Sequence, residues 1–238
     1  MRIGLISDVH ATTVALDAVL AALDAAAVDQ IVCLGDVVDM GPEPNETIAR
    51  LRARGIATLR GNHDTLDDGP TFPVLIDIER WTAQTLLPAH RAWLDALPTT
   101  LVLEAHGLRL LCTHGTPRDS REGVTDATPW ATLRQAAGDQ PFDVLAVGHT
   151  HVQLLRRDGP QTVVNVGSVA QPFARPFDGK PPALLPCCDF AIVELGPGGA
   201  AVELRRISLP WAAFEASMRA SAMPHVEFML GQWSRALA

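Results

Sequence analysis

Several residue types are scarce in this chain of 238 residues, and each scarcity excludes a class of protein. Tyrosine is absent, and Lys180 is the single lysine among 19 basic residues, the rest of which are arginines. With 27 acidic residues the formal net charge is -8, and the arginines form no basic run. Because sequence-independent binding to nucleic acid depends on neutralised phosphates, we do not expect DNA or RNA as a partner.

Long hydrophobic runs are missing as well. No apolar run approaches the roughly 20 residues of a transmembrane helix, so we expect no membrane partner. The first apolar run, "RIGLIS", is too short for the hydrophobic part of a signal peptide, and it leads directly into the charged "DVH". We therefore expect a cytoplasmic protein.

Cysteine is scarce too, with four residues and no spacing typical of zinc ligands. Cys33 and Cys112 lie in apolar, strand-like runs, and we expect both to be buried thiols. Cys187 and Cys188 are adjacent, and we interpret this pair as part of a loop. The cysteines therefore predict no thiolate metal site.

Hydrophobic residues, by contrast, make up 47% of the chain, which is enough for a sizeable core. We predict a single domain over residues 1–238, with C-terminal helices from about residue 210. The first part of the chain predicts the order strand, helix, strand, helix, strand over residues 2–7, 12–27, 30–35, 44–55 and 56–60. A βαβαβ order of this kind predicts a parallel sheet covered by helices.

The remaining pattern is more mixed. Residues 72–97 are helical with a break near Pro88, and residues 99–113 predict a hairpin that turns at His106–Gly107. Further strands are predicted over residues 142–148, 162–167, 189–195 and 200–209. The proline-rich stretch 171–186 is the one long irregular loop, and such loops are often functional. The whole pattern predicts an α/β fold: a four-layer α/β/β/α sandwich of two mixed sheets, in which strands after residue 99 supply most of the second sheet.

Polar side chains of three types follow five of the strand-like runs. Each of these runs ends at an Asp, an Asn or a His, and five of the eight histidines of the chain belong to this set. The residues concerned are Asp8, His10, Asp36, Asn62, His63, Asp64, His114, His149 and His151. Because ligands of α/β sheets bind at the carboxyl ends of the strands, we expect these side chains to meet at one edge.

Each of these residues alone has a simpler interpretation. An Asp after a strand is usually a turn former, and a single His is more often structural than a ligand. That interpretation would have to hold independently at five strand ends, so we favour a shared site. His90, His106 and His225 follow no such pattern, and we interpret them as surface or structural residues.

The donor chemistry favours metal ions. Carboxylate, amide and imidazole groups offer oxygen and nitrogen ligands without thiolate, which suits manganese, iron, zinc or nickel. Seven of the residues are suitable ligands, which is too many for one ion and about right for two ions that share a carboxylate. Such an ion pair activates water and holds phosphoryl oxygens, so we expect two divalent or trivalent ions and phosphoryl chemistry.

The order of motifs along the chain resembles that of a known family. "DVH", "GDVVDMGPEP", "GNHD", "THGTPRD" and "GHTH" are similar to the motifs of the calcineurin-like metallophosphoesterase superfamily. "WTAQTLLPAHRAWLDALP" and "VNVGSVAQP" further resemble its bacterial and archaeal predicted phosphodiesterases, which are compared with diadenosine tetraphosphatases and YfcE-like phosphodiesterases. The resemblance extends from residue 1 to about residue 209.

The resemblance implies a role for each motif residue. One ion would be held by Asp8, His10, Asp36 and His151. The other ion would share Asp36 and be held in addition by Asn62, His114 and His149. His63 would protonate the leaving oxygen or stabilise the phosphoryl charge, and Asp64 would orient the imidazole of His63.

Positions outside the metal motifs bear on the substrate. Asp39 stands where relatives often carry Gly; it adds a negative charge near the metals, and an ordinary loop Asp is the alternative. The loop "GSVAQPFARPFDG" is longer than its family counterpart and is expected to border the pocket. Arg118 and Arg175 are candidates for binding a substrate phosphate, and an exposed surface position is the alternative for each.

The resemblance implies a di-metal phosphoesterase acting on a phosphodiester, phosphomonoester or phosphoanhydride of a small, nucleotide-like substrate. Three alternatives stay open at this point. A non-catalytic interaction module, such as the retromer subunit of this fold, would be expected to lack His63. A nuclease of the superfamily would be expected to carry added domains or basic surfaces, and a protein phosphatase needs a broad open groove. The sequence indicates neither the native metal nor the oligomeric state.

Overall fold

The computed structural model describes residues 1–67, 72–180 and 182–237. Its first part confirms the predicted βαβαβ order. The elements are β1 (Arg2–Ile6), α1 (Thr13–Ala25), β2 (Gln30–Cys33), α2 (Pro44–Ala53) and β3 (Ala57–Thr58). The third strand is shorter than the predicted range 56–60, because only two of its residues pair with β2. The three strands run parallel, so their carboxyl ends lie at the same edge.

The middle of the chain contains the predicted hairpin and the predicted helix break at Pro88. Its elements are α3 (Pro73–Thr85), α4 (Pro88–Asp95), β4 (Thr100–Ala105), β5 (Leu108–Thr113), α5 (Trp130–Ala137), β6 (Val144–Val147), β7 (Leu154–Asp158) and β8 (Gln161–Asn165). The helix α5 and the strand β7 were not predicted. The helix has only eight residues, and β7 is an edge strand whose side chains are largely outside the core.

The C-terminal part also follows the predicted order. Its elements are β9 (Cys187–Gly196), β10 (Gly199–Ser208), α6 (Trp211–Ala220) and α7 (Val226–Leu237). The interpretation of Cys187 and Cys188 as a loop feature is wrong. Both residues lie at the start of β9, where they pair with Ser208 and Ile207 of β10 and are buried. Their thiols therefore belong to the interior, like those of Cys33 and Cys112.

The strands form two mixed sheets of five strands each. The first sheet has the order β10-β9-β1-β2-β3, and β9 runs antiparallel to β1. The second has the order β4-β5-β6-β8-β7, in which β5, β6 and β8 are parallel. Strands after residue 99 thus supply the second sheet, as predicted, but β9 and β10 return to extend the first sheet.

Three apolar layers hold the sheets and helices together and confirm the four-layer sandwich. Between the sheets, alternate residues of each strand pack together, such as Ile3 and Leu5 of β1 against Leu110 and Cys112 of β5. The outer face of the first sheet is covered by α1, α2, α6 and α7, whose core residues include Leu16, Ile48, Phe214 and Trp233. The helix α5 covers the outer face of the second sheet through Leu133 and Ala137. Within the described residues, no helix is long and apolar enough to cross a membrane.

Candidate active site

The carboxyl ends of strands from both sheets meet at one edge of the sandwich, as the sequence predicts. The loops after β1, β2 and β3 of the first sheet carry Asp8, Asp36 and Asn62, and those after β5 and β6 of the second carry His114 and His149. Side chains from the two sheets approach to contact distance: Asp36 Oδ2 lies 3.2 Å from His114 Nε2. The ends of β1 and β6 also come into contact, because Asp8 Oδ1 lies 3.1 Å from His151 Nε2.

The backbone at this edge is strained. Several of the predicted ligands have a positive φ, with values of 55° at Asp8, 44° at His10, 52° at Asp36, 66° at His149 and 58° at His151. Non-glycine residues rarely adopt this left-handed conformation, and such outliers cluster at functional sites. The left-handed conformation therefore occurs at the strand ends, where the backbone turns and directs the side chains of these residues into the site.

Two glycines allow close approach of the backbone to the carboxylates. A Cβ atom on Gly61 would collide with the backbone nitrogen and the Oδ1 atom of Asp36. A Cβ atom on Gly148 would lie 2.6 Å from Asp8 Oδ2 and would collide with the hydroxyl of Ser7. Gly61 of "GNHD" is therefore required, because the side chain of Asp36 occupies the space that a Cβ atom would need.

One group of possible metal ligands consists of Asp8, His10, Asp36 and His151. Each residue offers an oxygen or nitrogen atom within 4.8 Å of those of the others, and all four residues are buried. The Nε2 atoms of His10 and His151 are only 3.1 Å apart. This spacing suits donor atoms that share one ion.

The second group consists of Asp36, His114 and His149, so Asp36 belongs to both. Asn62 completes it, because its Oδ1 atom lies 3.1 Å from His114 Nε2 and 2.8 Å from His149 Nδ1. The structure thus brings all seven predicted ligands together, in the same two sets that the motifs imply.

The hydrogen bonding of the two buried carboxylates fits a cation. Asp8 Oδ2 accepts the backbone N–H of His149, and Asp36 Oδ1 accepts that of His63. The other oxygen of each carboxylate is buried beside an imidazole, with Asp8 Oδ1 3.1 Å from His151 Nε2 and Asp36 Oδ2 3.2 Å from His114 Nε2. Carboxylate oxygens and imidazole nitrogens at this spacing fit positions around shared metal ions.

Carbonyl groups orient two of the histidines. The Nδ1–H group of His114 donates to Leu34 O over 3.1 Å, and that of His151 donates to Gln171 O over 2.8 Å. A carbonyl can only accept, so both rings carry their proton on Nδ1 and present Nε2 to the site. This is the usual arrangement behind a metal-binding imidazole.

The charges of the site are set by burial and by the imidazoles. Burial, with the nearby His151, lowers the pKa of His10 to about 3, and burial with His114 lowers the pKa of His149 to about 4. Burial raises the pKa of Asp8, but His151 and His114 outweigh it and bring the value to about 2. Burial lowers the pKa of His114, but Asp36 outweighs it and raises the value to about 9. A metal ion would displace the proton of His114, since only the neutral ring can ligate.

His63 lies at the rim of the two ligand groups. Its side chain is 19% exposed, and its Nδ1 atom is 2.8 Å from Asp39 Oδ2, while Asp39 is 1% exposed. The remaining carboxylate oxygen of Asp39 accepts the backbone N–H of Met40 over 2.8 Å. Asp39 therefore orients the imidazole of His63, and the alternative that it is an ordinary loop Asp is wrong.

The prediction that Asp64 orients His63 is wrong. Its carboxylate oxygens accept the backbone N–H groups of Gly61, Asp36, Val37 and Val38, at 2.8 to 3.2 Å. Burial and the nearby Asp36 raise the pKa of Asp64 to about 6, while the N–H donors act in the opposite direction. Asp64 holds the loop of Asp36 against the loop of "GNHD" and acts on the site through the backbone.

Removal of the Asp64 carboxylate is expected to destabilise the fold. Asp64→Ala would leave four buried N–H groups without an acceptor, and we expect a loss of about 3–5 kcal/mol in the free energy of unfolding. Urea denaturation of the metal-free protein measures it. The control is Asp67→Ala, which removes a carboxylate that is 75% exposed and should change little. Equal stability of the two variants would contradict the structural role of Asp64.

A cavity of about 730 Å³ opens onto this site. Asp36, His63, His149 and His151 line one end of it. Its other walls come from the start of α3, the loop 171–186 and the helix α7. The prediction that this loop borders the pocket is confirmed, and small-molecule sites commonly have such a volume.

The two candidate substrate arginines do not line the cavity. Arg118 is exposed and pairs with Glu122, with Nη2 2.8 Å from Oε1. Arg175 is exposed and lies 3.7 Å from Asp178. Each guanidinium therefore faces a carboxylate near it in sequence, and this geometry does not favour phosphate binding by either residue.

Sequence reasoning missed two features of the site. The pairing of Asp39 with His63 could have been found from the spacing in "GDVVD", which places a second carboxylate three residues after Asp36. The wall that α7 contributes, with Phe228, Met229 and Gln232, had no such signal, because no motif marks it.

Comparisons with known proteins agree with this geometry. A model of the calcineurin-like phosphoesterase superfamily domain matches residues 1–183. A metallophosphoesterase from Sphaerobacter thermophilus is 30% identical over 98% of this chain and 100% of its own, with a TM-score of 0.76. A hypothetical protein from Pyrococcus horikoshii OT3 shares the fold with a TM-score of 0.78, at 18% identity over 96% of this chain and 97% of its own. An uncharacterised protein of Methanocaldococcus jannaschii is 28% identical over 195 residues, or 71% of this chain and 76% of its own. The chain therefore belongs to the calcineurin-like phosphoesterase superfamily.

Proposed function

We propose that this protein is a di-metal phosphoesterase that hydrolyses a small phosphorylated substrate. The observation that carries the proposal is the pair of ligand groups that share Asp36, next to the Asp39–His63 pair, at the end of one cavity. A structural role for these residues would not require so many carboxylate and imidazole donors within 4.8 Å of one another. The membership of the chain in a phosphoesterase superfamily supports the same reaction class.

Each ion would have four ligands from this chain. Asp8, His10, Asp36 and His151 would hold one ion, and Asp36, Asn62, His114 and His149 would hold the other. When bound, such an ion pair lowers the pKa of a water molecule and neutralises the charge of phosphoryl oxygens. Manganese, iron, zinc and nickel all suit this mixture of oxygen and nitrogen donors.

His63 would act on the leaving group. Its Nδ1 atom is engaged by Asp39, so proton transfer has to use Nε2. Water forms a new bond to phosphorus, the bond from phosphorus to the leaving oxygen breaks, and that oxygen takes the proton from Nε2 while the proton of the water passes to solvent. Asp39 would stabilise the imidazolium before transfer and hold the ring in one orientation.

The alternative of a non-catalytic interaction module is less well supported. A binding-only relative has no need of a proton donor, yet His63 is present with a buried carboxylate partner. The cavity volume of about 730 Å³ also favours a small substrate over the broad groove of a protein phosphatase. The cytoplasmic location stays a prediction from the sequence.

An activity screen tests the proposal. Metal-loaded protein is offered bis-p-nitrophenyl phosphate, p-nitrophenyl phosphate, cyclic nucleotides and dinucleoside polyphosphates, and we expect metal-dependent hydrolysis of at least one class. Lack of hydrolysis of every class by protein that holds two ions per chain would contradict it.

A further inference from the structure

We infer that the substrate carries a large hydrocarbon group, aliphatic or aromatic, next to its phosphoryl group. This inference rests on the proposed function and names the substrate class of the same site. The hydrocarbon would occupy the part of the cavity that lies away from Asp36, which we call the apolar chamber. Its walls are Phe72, Leu75, Phe177, Phe228 and Met229.

The two ends of the cavity differ in the types of side chain that line them. The metal-ligand residues and His63 lie at one end, whereas the three elements that build the apolar chamber contribute mainly aromatic and aliphatic side chains. The phosphoryl group of a substrate belongs at the first end, because the possible metal ligands are there. Whatever is joined to that group must then extend into the apolar chamber.

The charges of the wall disfavour one substrate class. None of the described residues that line the cavity is Lys or Arg. Each further phosphate of a polyphosphate would enter without a cationic partner, and burying an unpaired charge is costly. A dinucleoside polyphosphate is therefore disfavoured, although the family resemblance allows it.

The exposure of the wall residues also supports a hydrocarbon group in the substrate. Phe72 is 41% exposed, Phe177 is 55% exposed and Phe228 is 49% exposed. These three aromatic side chains face the cavity from three different elements. Exposed apolar residues that cluster around one concave surface mark a binding site, since their burial by a ligand is favourable.

Part of the apolar chamber lies outside the residues that the family model matches. The family model ends at residue 183, while α7 supplies Phe228 and Met229 to the wall. The helix is held in place by its own core contacts, with Trp233 packed against Phe214 of α6 at 5.1 Å between ring centroids. The shared motifs would thus set the reaction, and the C-terminal helix would help to select the substrate.

A series of esters with one leaving group tests the inference. The substrates are p-nitrophenyl alkyl phosphodiesters with methyl, butyl and octyl groups, plus a phenylpropyl ester as the aromatic arm. We expect kcat/KM to rise by at least about 100-fold from methyl to octyl, since each fully buried methylene is worth roughly fourfold in affinity. A larger gain for phenylpropyl than for octyl, which has a similar number of carbon atoms, would identify an aromatic preference, and the reverse an aliphatic one.

Two variants and a matched control connect the gain to the wall. Phe177→Ala and Phe228→Ala should each reduce the octyl-over-methyl ratio of kcat/KM by roughly fivefold. The control is Leu87→Ala, which removes an apolar side chain that is 54% exposed and does not line the cavity. It should leave the ratio unchanged.

Binding of octylphosphonate and ethylphosphonate by calorimetry provides a readout that does not depend on turnover. We expect octylphosphonate to bind at least about 50-fold more tightly. Hydrolysis of the methyl ester with no gain for longer chains, or a diadenosine polyphosphate that exceeds the octyl ester, would overturn the inference and leave the phosphoesterase function standing. If neither these esters nor any substrate of the activity screen is hydrolysed, the proposed function fails, and equal affinity for the two phosphonates would then overturn this inference as well.

Discussion

Replacement of His63 by Ala is expected to lower the turnover rate by about 10²–10⁴-fold while metal content stays nearly unchanged. The reason is the position of the imidazole: it lies in the wall of the cavity beside the two ligand groups, but it belongs to neither of them. Metal analysis and initial rates of the purified variant measure the two effects separately. Loss of one ion would show that His63 is a ligand and would contradict the division of roles.

The loss of rate should depend on the leaving group. An alkoxide is a poor leaving group without a proton and should suffer most in His63→Ala, whereas p-nitrophenolate is a stable anion and should suffer less. A ratio of alkyl to p-nitrophenyl rates that is the same in wild type and variant would contradict proton donation by His63.

Asp39→Asn should give a milder version of the same pattern. The imidazole remains, but the amide cannot stabilise the imidazolium as the carboxylate 2.8 Å from Nδ1 does. Asp64→Asn is the matched comparison, because Asp64 contacts backbone N–H groups and not the ring. Asp64→Asn should lower the free energy of unfolding and the affinity for metal ions. Its loss of turnover rate should not depend on the leaving group.

Asp36→Asn is expected to weaken both metal sites at once and to lower turnover by at least about 10⁴-fold. One carboxylate serves both ligand groups, so its charge cannot be removed from one ion alone. Asp17→Asn is the control, since that carboxylate is 52% exposed and pairs with Arg50 on the surface. A variant that keeps two ions and normal activity would contradict the sharing of Asp36.

Much of this site could be predicted because its residues stand at strand ends. The apolar runs before Asp8, Asp36 and His114 are buried strands, and parallel strands carry their carboxyl ends to the same edge. Residue type then indicated the chemistry, because oxygen and imidazole donors without thiolate are typical of metals that act on phosphate. The resemblance to the family implied the two ligand sets.

The partner of His63 could not be read from its neighbours in sequence. Asp64 is adjacent to His63, but the short 3-10 helix from His63 to Thr65 directs its carboxylate towards the backbone of the Asp36 loop. Asp39 reaches the ring because two strand-end loops meet in space. Such a contact depends on how the strands align, and the apolar periodicity does not encode it.

Parts of the fold could not be predicted from the sequence for similar reasons. In β7 only Leu154 and Arg156 are even partly buried on one side, so no clear alternation of apolar residues marks the strand. The strands β9 and β10 belong to the first sheet, although they follow the strands of the second sheet in the sequence. The apolar pattern of a strand does not indicate which other strand it pairs with. The apolar chamber likewise arises from three segments far apart in the sequence, none of which carries a motif.

We propose that two ions sharing Asp36 make this site a phosphoesterase. The most direct test of this proposal is a titration of the metal-free protein with Mn²⁺, in which bound ions per chain and hydrolysis of bis-p-nitrophenyl phosphate or p-nitrophenyl phosphate are measured on the same samples. We predict that binding saturates at two ions per chain and that the rate rises with occupancy of the second ion, and that Asp36→Asn shows neither behaviour. Full activity of the metal-free protein, or saturation at two ions with no hydrolysis, would contradict the account.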